Sequence, residues 1–345
     1  MKNLKFAIFG TGFWSQFQLG AWQELEGVEC IALYNRTKPK ADKLAERFGV
    51  PRTYDDPQEL LDKEELDFVD IITDVETHHK FVKMAVDAGV KNIICQKPMG
   101  PDFETAKAMV ELCRDAGVKF YVHENYRWER PLRRFKEILD SGVIGKPFKA
   151  RVTFNSGFPV FENQPFLAEL DKFILTDMGS HIFDVTRFMF GECDRLWCQK
   201  LTVNPNIKGE DVASVMMQME NGMPVFAELS YSSIVEDDAF TTAFILVEGD
   251  KGSLYIGPGF EIRTTTKAGT TSEVVKFPSY DWADPDYIVN HESGIPINRN
   301  ILDDMLGLGK AETTGDDNFE TVKMVWAAYE SAETGKIIDL KQFGM

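Results

Sequence analysis

The sequence predicts an α/β chain of two domains: a parallel sheet covered by helices, then an α+β domain with a large, mainly antiparallel sheet. Three observations carry that prediction. A chain of 345 residues is too long for one small core. Up to residue 124, short and nearly all-apolar runs alternate with segments of helical period. Beyond residue 150, turn signals separate short alternating runs, which is the pattern of hairpins.

The elements follow in order. Residues 5–9, 28–34, 67–73, 92–95 and 119–123 are strand candidates, apolar enough to be buried on both faces of a parallel sheet. Between them Ala41, Leu44, Ala45 and Phe48 recur at i, i+3, i+4 and i+7, and Gly49 with Pro51 ends that helix. Phe81, Met84, Ala85 and Ala88 repeat the spacing before Gly89. Ala106, Met109, Val110 and Cys113 do so before Gly117, with Asp102 placed as an N-cap. In the second half, residues 213–219 and 224–231 flank Asn221-Gly222, a strong two-residue hairpin signal. Residues 240–247 and 252–256 flank a Gly-Asp-Lys-Gly turn, and 264–271 turn at Ala268-Gly269. An amphipathic helix over 316–334 closes the chain. The expected domains are 1–124 and 125–345, the terminal helix being free to pack back on the first. There is no internal repeat or low-complexity linker.

Bulk properties exclude several classes of partner. The net charge is −17, from 38 Lys+Arg against 55 Asp+Glu, and it repels both phosphate backbones and anionic membranes. No run of about 18 apolar residues is present, and the N-terminal segment lacks an apolar region with a cleavage site. The five cysteines are scattered, and Cys30, Cys95 and Cys113 lie in apolar runs, so reduced thiols in a cytoplasmic protein are expected. Only Cys193 and Cys198 approach metal-ligand spacing, so no metal is expected.

The first strand runs into Gly10-Thr11-Gly12-Phe13-Trp14-Ser15 at the start of a helix. Gly10 permits the tight turn, Gly12 lets the backbone approach a pyrophosphate at the helix N-terminus, and the small Ser15 replaces the third glycine. The first domain is therefore expected to be a Rossmann dinucleotide-binding domain. At the end of the second strand the ribose-reading position is Asn35, not a carboxylate, with Arg36, Lys38 and Lys40 nearby. This set accommodates a 2′-phosphate, with Arg36 pairing with it or stacking on adenine. Asn35 equally suits a free 2′-hydroxyl, so the cofactor is NAD(H) or NADP(H).

With the glycine loop, the segment NIICQKPMG resembles the Gfo/Idh/MocA oxidoreductases, which act mainly on sugars, polyols and their derivatives. That family carries Glu-Lys-Pro where this chain has Gln96-Lys97-Pro98. ITDVETHHKFVKMAVDAGVKNIICQKP is similar to the family's loop, helix and strand leading to the lysine, with Asp74 where a proline is common. ENYRWERPLRRFKEILDSGVIGKPFKARV resembles its crossover helix, and VEGDKGSLYI and TVKMVWAAYESAETGKIIDL its late hairpin and terminal helix. The resemblance spans nearly the whole chain.

It places the family's Asp-x-x-x-His pair on Asp177 and His181, and its reacting-site lysine on Lys97. Cofactor contacts are expected from Gly10, Thr11, Gly12, Phe13, Trp14, Asn35, Arg36, Thr73, His78, Gln96, Lys97 and Asn125. Substrate contacts are expected from Lys97, Tyr126, Phe158, Asp177 and His181. His78 has an alternative role in fixing its loop. Arg127 and Trp128 read as structural, and His291 has no assigned role. The glutamine at 96 is expected to alter cofactor contacts rather than abolish activity.

The chemistry agrees with these assignments. Oxidising an alcohol removes hydride from carbon and a proton from oxygen, and a histidine is suited to take that proton near neutral pH. Asp177, one helical turn earlier, can orient the ring or contact a second hydroxyl. Lys97 supplies positive charge where alkoxide character develops and can share the proton. The expected activity is an NAD(P)-dependent dehydrogenase of a secondary hydroxyl on a sugar, glycoside or cyclitol. Two alternatives stay open: a tightly bound cofactor cycling between two sugars, and a non-catalytic nucleotide sensor on the same fold.

Two aromatic segments bear on the substrate. Phe154, Phe158, Phe161 and Phe166 precede the Asp177 helix, and Tyr280, Trp282, Asp284 and Tyr287 lie later. Each segment is either a substrate-covering loop or a subunit contact, and so many rings suit a glycoside with an apolar aglycone. A hairpin-built sheet leaves an open face, so a homo-oligomer is expected.

Overall fold

The first apolar run becomes β1 (Leu4–Phe9) in the computed structural model, whose described residues are 3–236 and 243–344. It is followed by α1 (Ser15–Gln23), β2 (Val28–Tyr34), α2 (Lys38–Phe48), β3 (Arg52–Tyr54), α3 (Pro57–Lys63) and β4 (Phe68–Ile71). Then come α4 (His78–Asp87), β5 (Asn92–Gln96), α5 (Phe103–Asp115) and β6 (Lys119–His123). The strands form one parallel sheet in the order β3-β2-β1-β4-β5-β6. The strand order reverses between β1 and β4, and ligands of open α/β sheets bind beyond the carboxyl ends of such strands.

Local chemistry explains the boundaries. α2 stops where Gly49 takes a φ of 71°, a left-handed cap that costs glycine little. The Asp102 carboxylate accepts from the Thr105 backbone N–H at 2.7 Å, capping α5. On one face of the sheet, Phe6 stacks on Phe68 with centroids 4.6 Å apart, and Trp22 of α1 tilts against both. On the other face Ala7, Phe9, Val69, Ile71 and Ile93 pack with Phe81, Val82 and Met109. Each fully buried side chain of this size contributes about 1.5–3 kcal/mol. β3 has no counterpart in the sequence reading, because its three residues, Arg-Thr-Tyr, are too few and too polar for a periodic signal.

Among the described residues the second sheet has nine strands. The chain runs through α6 (Arg130–Asp140), β7 (Pro147–Asn155), α7 (Val160–Asn163), α8 (Ile174–Phe190), β8 (Cys193–Leu201) and β9 (Val212–Met219). β10 (Pro224–Ser230), β11 (Phe244–Gly249), β12 (Gly252–Gly257), β13 (Glu261–Thr266) and β14 (Gly269–Val274) follow. After α9 (Ile288–Glu292), α10 (Gly294–Met305) and α11 (Gly315–Thr334), β15 (Ile338–Asp339) completes the set. The order is β14-β13-β12-β11-β7-β10-β9-β8-β15, antiparallel except for β7 beside β10. The predicted Asn221-Gly222 hairpin is the β9–β10 turn, where Gly222 takes a φ of 84°. Of the strand predicted over 240–247, residues 240–242 lie outside the described residues.

By contact the chain divides at Glu124/Asn125, but residues 279–284 and 291–322 cluster with the first unit. The sequence reading placed those two segments in the second domain. The physical reason is that α10 packs against α1, burying Ile297 and Ile301. Helical period shows that a helix has an apolar face, but not which sheet layer covers that face. Among the described residues no helix is long and apolar enough to cross a membrane, and no group of three or more His, Cys, Asp or Glu is placed to hold a metal. All five cysteines are free thiols, four of them buried.

Candidate active site

In the first unit the glycine loop is shaped for close backbone approach. Gly10 has a φ of 99°, and a Cβ there would lie 2.3 Å from the Ile72 carbonyl oxygen, so no other residue fits. A Cβ at Gly12 would meet nothing within 4 Å, so the loop backbone there is open to an approaching group. Ser15 donates its hydroxyl to the Gly12 carbonyl at 2.7 Å, which ties the loop to the start of α1. This cradle, at the N-terminus of a helix, fits the pyrophosphate of a dinucleotide. Asn35 bridges two segments: its Nδ2 donates to Thr11 Oγ1 at 2.8 Å and its Oδ1 accepts from the Thr37 N–H at 2.8 Å. Arg36 is exposed and lies 3.8 Å from the equally exposed Asp74, an ion pair of little energetic weight. Phe13 is exposed, with its ring edge-on to Phe17.

Thr73 and His78 are built into the same end of the sheet. Thr73 Oγ1 accepts from Thr77 Oγ1 at 2.8 Å. The buried His78 ring faces the carbonyls of Pro98 and Met99 through Nδ1, at 3.1 and 3.2 Å, and that of Thr73 through Nε2 at 3.1 Å. Burial pushes this imidazole below its usual pKa, while the three carbonyls oppose the shift. The ring thus sits between the Thr73 loop and the segment following Lys97, and its one N–H when neutral donates to a carbonyl on one side of it. Lys97 directly follows β5, before a cis Lys97–Pro98 bond, and its N–H donates to Gln96 Oε1 at 2.8 Å.

In the second unit α8 carries the remaining acid–base groups. Asp177, His181 and Asp184 are spaced i, i+4 and i+7, so they share one helix face. The His181 ring is 4% exposed and stacks on Tyr126, with centroids 3.8 Å apart and planes 15° from parallel. Asp184, wholly buried, takes two bonds from the Arg127 guanidinium: Nε to Oδ2 at 2.7 Å and an Nη to Oδ1 at 2.5 Å. That clamp fixes the short turn bearing Tyr126 against α8. Asp177 Oδ2 accepts from the Tyr231 hydroxyl at 3.3 Å. Burial first, and then the Asp177 charge, raise Tyr231 well above the ordinary phenol range, so it stays a neutral donor.

The structure therefore groups Gly10, Thr11, Gly12 and Asn35 around one loop, and Thr73, His78, Gln96 and Lys97 around another. It also joins Tyr126 to His181. Asn125 donates to the Asn290 carbonyl at 3.5 Å, and Phe158 is edge-on to Tyr287 at 6.1 Å. Arg127 is engaged by Asp184, and Trp128 lies under the Arg133 guanidinium at 3.5 Å.

Part of the two aromatic segments serves packing. Phe154 is core, Phe161 packs against Phe173, and Trp282 covers α1, where a Cβ on Gly20 would strike its ring at 2.5 Å. Trp282 Nε1 also donates to Glu24 Oε1 at 2.8 Å. These three rings pack within their own units, whereas Phe166 is exposed. His291, left unassigned, stacks on Phe17 with centroids 3.5 Å apart.

Sequence reasoning passed over Tyr231, Gln18 and Asp70. Asp70 had a signal: a single carboxylate inside the apolar run Phe68–Ile71, where charge is not placed without donors. Tyr231 lies just past a hairpin strand, where nothing local distinguishes it from a packing residue.

A glycine-loop parallel sheet followed by a nine-stranded mixed sheet is the architecture of an NAD-binding oxidoreductase. Residues 4–124 match the oxidoreductase family with NAD-binding Rossmann fold, and residues 132–255 match the Gfo/Idh/MocA C-terminal domain. The chain belongs to the Gfo/Idh/MocA oxidoreductase family. A D-apiose dehydrogenase of Rhizobium rhizogenes is 36% identical over 340 residues, spanning 99% of this chain and 98% of its own. A second D-apiose dehydrogenase, of Paraburkholderia graminis, is also 36% identical, over 99% of this chain and 91% of its own. The crystal structure of an oxidoreductase from Agrobacterium radiobacter, in complex with NAD+, L-tartaric acid and magnesium, superposes with a TM-score of 0.95 at 36% identity, covering 99% of both chains.

Proposed function

We propose that this chain is an NAD(H)-dependent dehydrogenase oxidising a CH–OH group of a small free sugar of the apiose type. Lys97, Asp177 and His181 are its reacting-site residues in this reading. The observation that carries it is the His181 ring, held on Tyr126 one helical turn from Asp177, in a chain 36% identical along its length to two D-apiose dehydrogenases.

When bound, the nicotinamide supplies the hydride acceptor. The protein's own residues do the rest. His181 takes the hydroxyl proton, and its fixed ring keeps the receiving nitrogen in place. Asp177, with Tyr231 donating to it, presents a carboxylate of set orientation to the imidazolium or to a neighbouring sugar hydroxyl. Lys97 stabilises negative charge growing on the reacting oxygen. NAD(H) is favoured over NADP(H) because Asn35 is tied to Thr11 and Thr37 within the loop, and the solved oxidoreductase 36% identical to this chain is in complex with NAD+. A small substrate is favoured because two D-apiose dehydrogenases are 36% identical to this chain along its length.

The protein acts in the cytoplasm as a homo-oligomer in this reading. Trp197, Met216 and Phe226 lie in register across β8, β9 and β10, and all three are exposed on one face, an apolar row suited to a second copy. The test is an oxidation screen of free pentoses, D-apiose included, cyclitols and glycosides with NAD+ and NADP+, following absorbance of the reduced nucleotide. The proposal requires turnover of a free sugar with NAD+ and its loss in Lys97→Met and His181→Ala. Preference for aryl glycosides, or full activity in either variant, would refute it.

A further inference from the structure

A hydrogen-bond chain, buried at its Asp70 end, runs to the Lys97 backbone. Asp70, wholly buried in β4, accepts from Gln18 Nε2 at 2.8 Å on each carboxylate oxygen and from Trp22 Nε1 at 2.9 Å. Gln18 is 1% exposed, and its Oε1 accepts from Gln96 Nε2 at 3.0 Å. Gln96 Oε1 in turn accepts the Lys97 N–H at 2.8 Å. The chain thus joins α1, β4 and β5.

The two ends have fixed and opposite chemistry. An ionised carboxylate only accepts hydrogen bonds, and a backbone N–H only donates. Two primary amides between them satisfy every link in one sense only: each turns its NH2 toward Asp70 and its oxygen toward Lys97. A glutamate at 96 would set two acceptors on either side of Gln18, which can donate to both only if its own oxygen is left facing a carboxylate. We propose that Asp70, through Gln18 and Gln96, sets the polarity of this chain and positions the Lys97 backbone, so that residue 96 has to be an amide while residue 70 is a carboxylate.

On this account the departure from Glu-Lys-Pro at residue 96 has its cause at residue 70, on another strand. The other titratable groups facing Asp70 are the thiols of Cys30 on β2 and Cys95 on β5, and burial raises both, so neither brings a charge. Burial pushes the Asp70 carboxyl up to about 7, with the Trp22 and Gln18 bonds pulling it down. Those donors favour the ionised form against burial, and the polarity described here is that of the carboxylate above about pH 7, where the readouts below are taken. The inference rests on Lys97 as a reacting-site residue only where it predicts turnover; the polarity itself is independent of that reading.

The experiment is a double-variant cycle on the full-length protein: Asp70→Asn, Gln96→Glu and Asp70→Asn/Gln96→Glu, with Gln96→Met and Lys97→Met as further variants. In the double variant the chain runs with its polarity reversed. The new amide at position 70 donates to Gln18, and Gln18 donates to the new carboxylate at position 96, which still accepts the Lys97 N–H. Three readouts are taken: the melting temperature, hydrogen exchange of the Lys97 amide, and kcat and KM with NAD+ and D-apiose.

Each single variant should lower the melting temperature, speed Lys97 amide exchange by about tenfold, the scale of one lost buried bond, and lower kcat more than KM changes. The double variant should recover all three. Should Gln96→Glu not fold, Gln96→Met breaks the link without adding charge, and it should speed Lys97 exchange with no rescue by Asp70→Asn. A double variant no better than the worse single one, or Lys97 exchange unmoved by Gln96→Met, overturns the polarity chain. Recovery of stability and exchange without recovery of kcat overturns the positioning role. Undiminished turnover in Lys97→Met instead overturns the reading of Lys97, and the exchange data separate that failure from the first.

Discussion

Replacing Asp184 by alanine tests how the Tyr126–His181 stack is held. Asp184 is wholly buried, and Arg127, 6% exposed, meets it through two bonds of 2.7 and 2.5 Å. Removing one partner of such a pair leaves an uncompensated buried charge, which costs about 3–5 kcal/mol. For a unit of this size each kcal/mol lowers the melting temperature by about 2–4 °C, so a loss on the order of 10 °C is expected in the transition of the second unit. Arg127 adjoins Tyr126, so the stack on His181 should loosen and kcat should fall by about tenfold or more. Replacing both partners with apolar residues of similar volume, Arg127→Met with Asp184→Leu, should return most of the stability, because no charge is then stranded. Differential scanning calorimetry and steady-state kinetics read both effects. A shift of less than about 3 °C for Asp184→Ala, below the smallest product of those two ranges, would refute the reasoning.

Three further outcomes are expected. Gly10→Ala should abolish saturable NAD+ binding in a fluorescence titration, since its methyl would meet the Ile72 carbonyl at 2.3 Å; retained affinity would show that the loop tolerates a Cβ. Tyr231→Phe removes the bond to Asp177 and should cost about 0.5–1.5 kcal/mol, read as up to a tenfold loss in kcat/KM; an unchanged value would place Asp177 outside the reaction. Stability against pH should carry two opposed contributions. Burial lowers His123 to about 4, so between pH 6.5 and 4 the unfolded chain binds a proton that the folded one does not, and stability falls on acidification by up to about 3 kcal/mol. Asp70, raised by burial to about 7, works the other way: the folded chain holds its proton longer, and up to about 4 kcal/mol is lost as pH rises from 4 to 7. Asp70→Asn removes the second contribution and should lose stability on acidification more steeply than the parent in urea melts; parallel slopes would contradict the burial of Asp70 as a carboxyl.

The amino-acid sequence by itself determined what short-range patterns encode. Apolar runs, helix-stop glycines and the Asn221-Gly222 turn specified the strands and helices, because propensity and period act within a few residues. Gly10 and Gly12, standing between a strand and a helix, specified the dinucleotide loop, and Asp177 and His181 acquired their reading from their place in the chain. Tertiary structure decided everything that depends on distant partners. It placed residues 279–284 and 291–322 with the first unit, turned Trp282 onto α1 and put Phe154 in the core, because an aromatic side chain carries no mark of which layer it fills. It brought Tyr231 to Asp177 across 54 positions and Asp70 to Gln18 across 52, separations at which no local pattern survives. A hydrogen bond is chosen by which donor and acceptor are left together when the backbone has packed, and only the folded chain makes that choice.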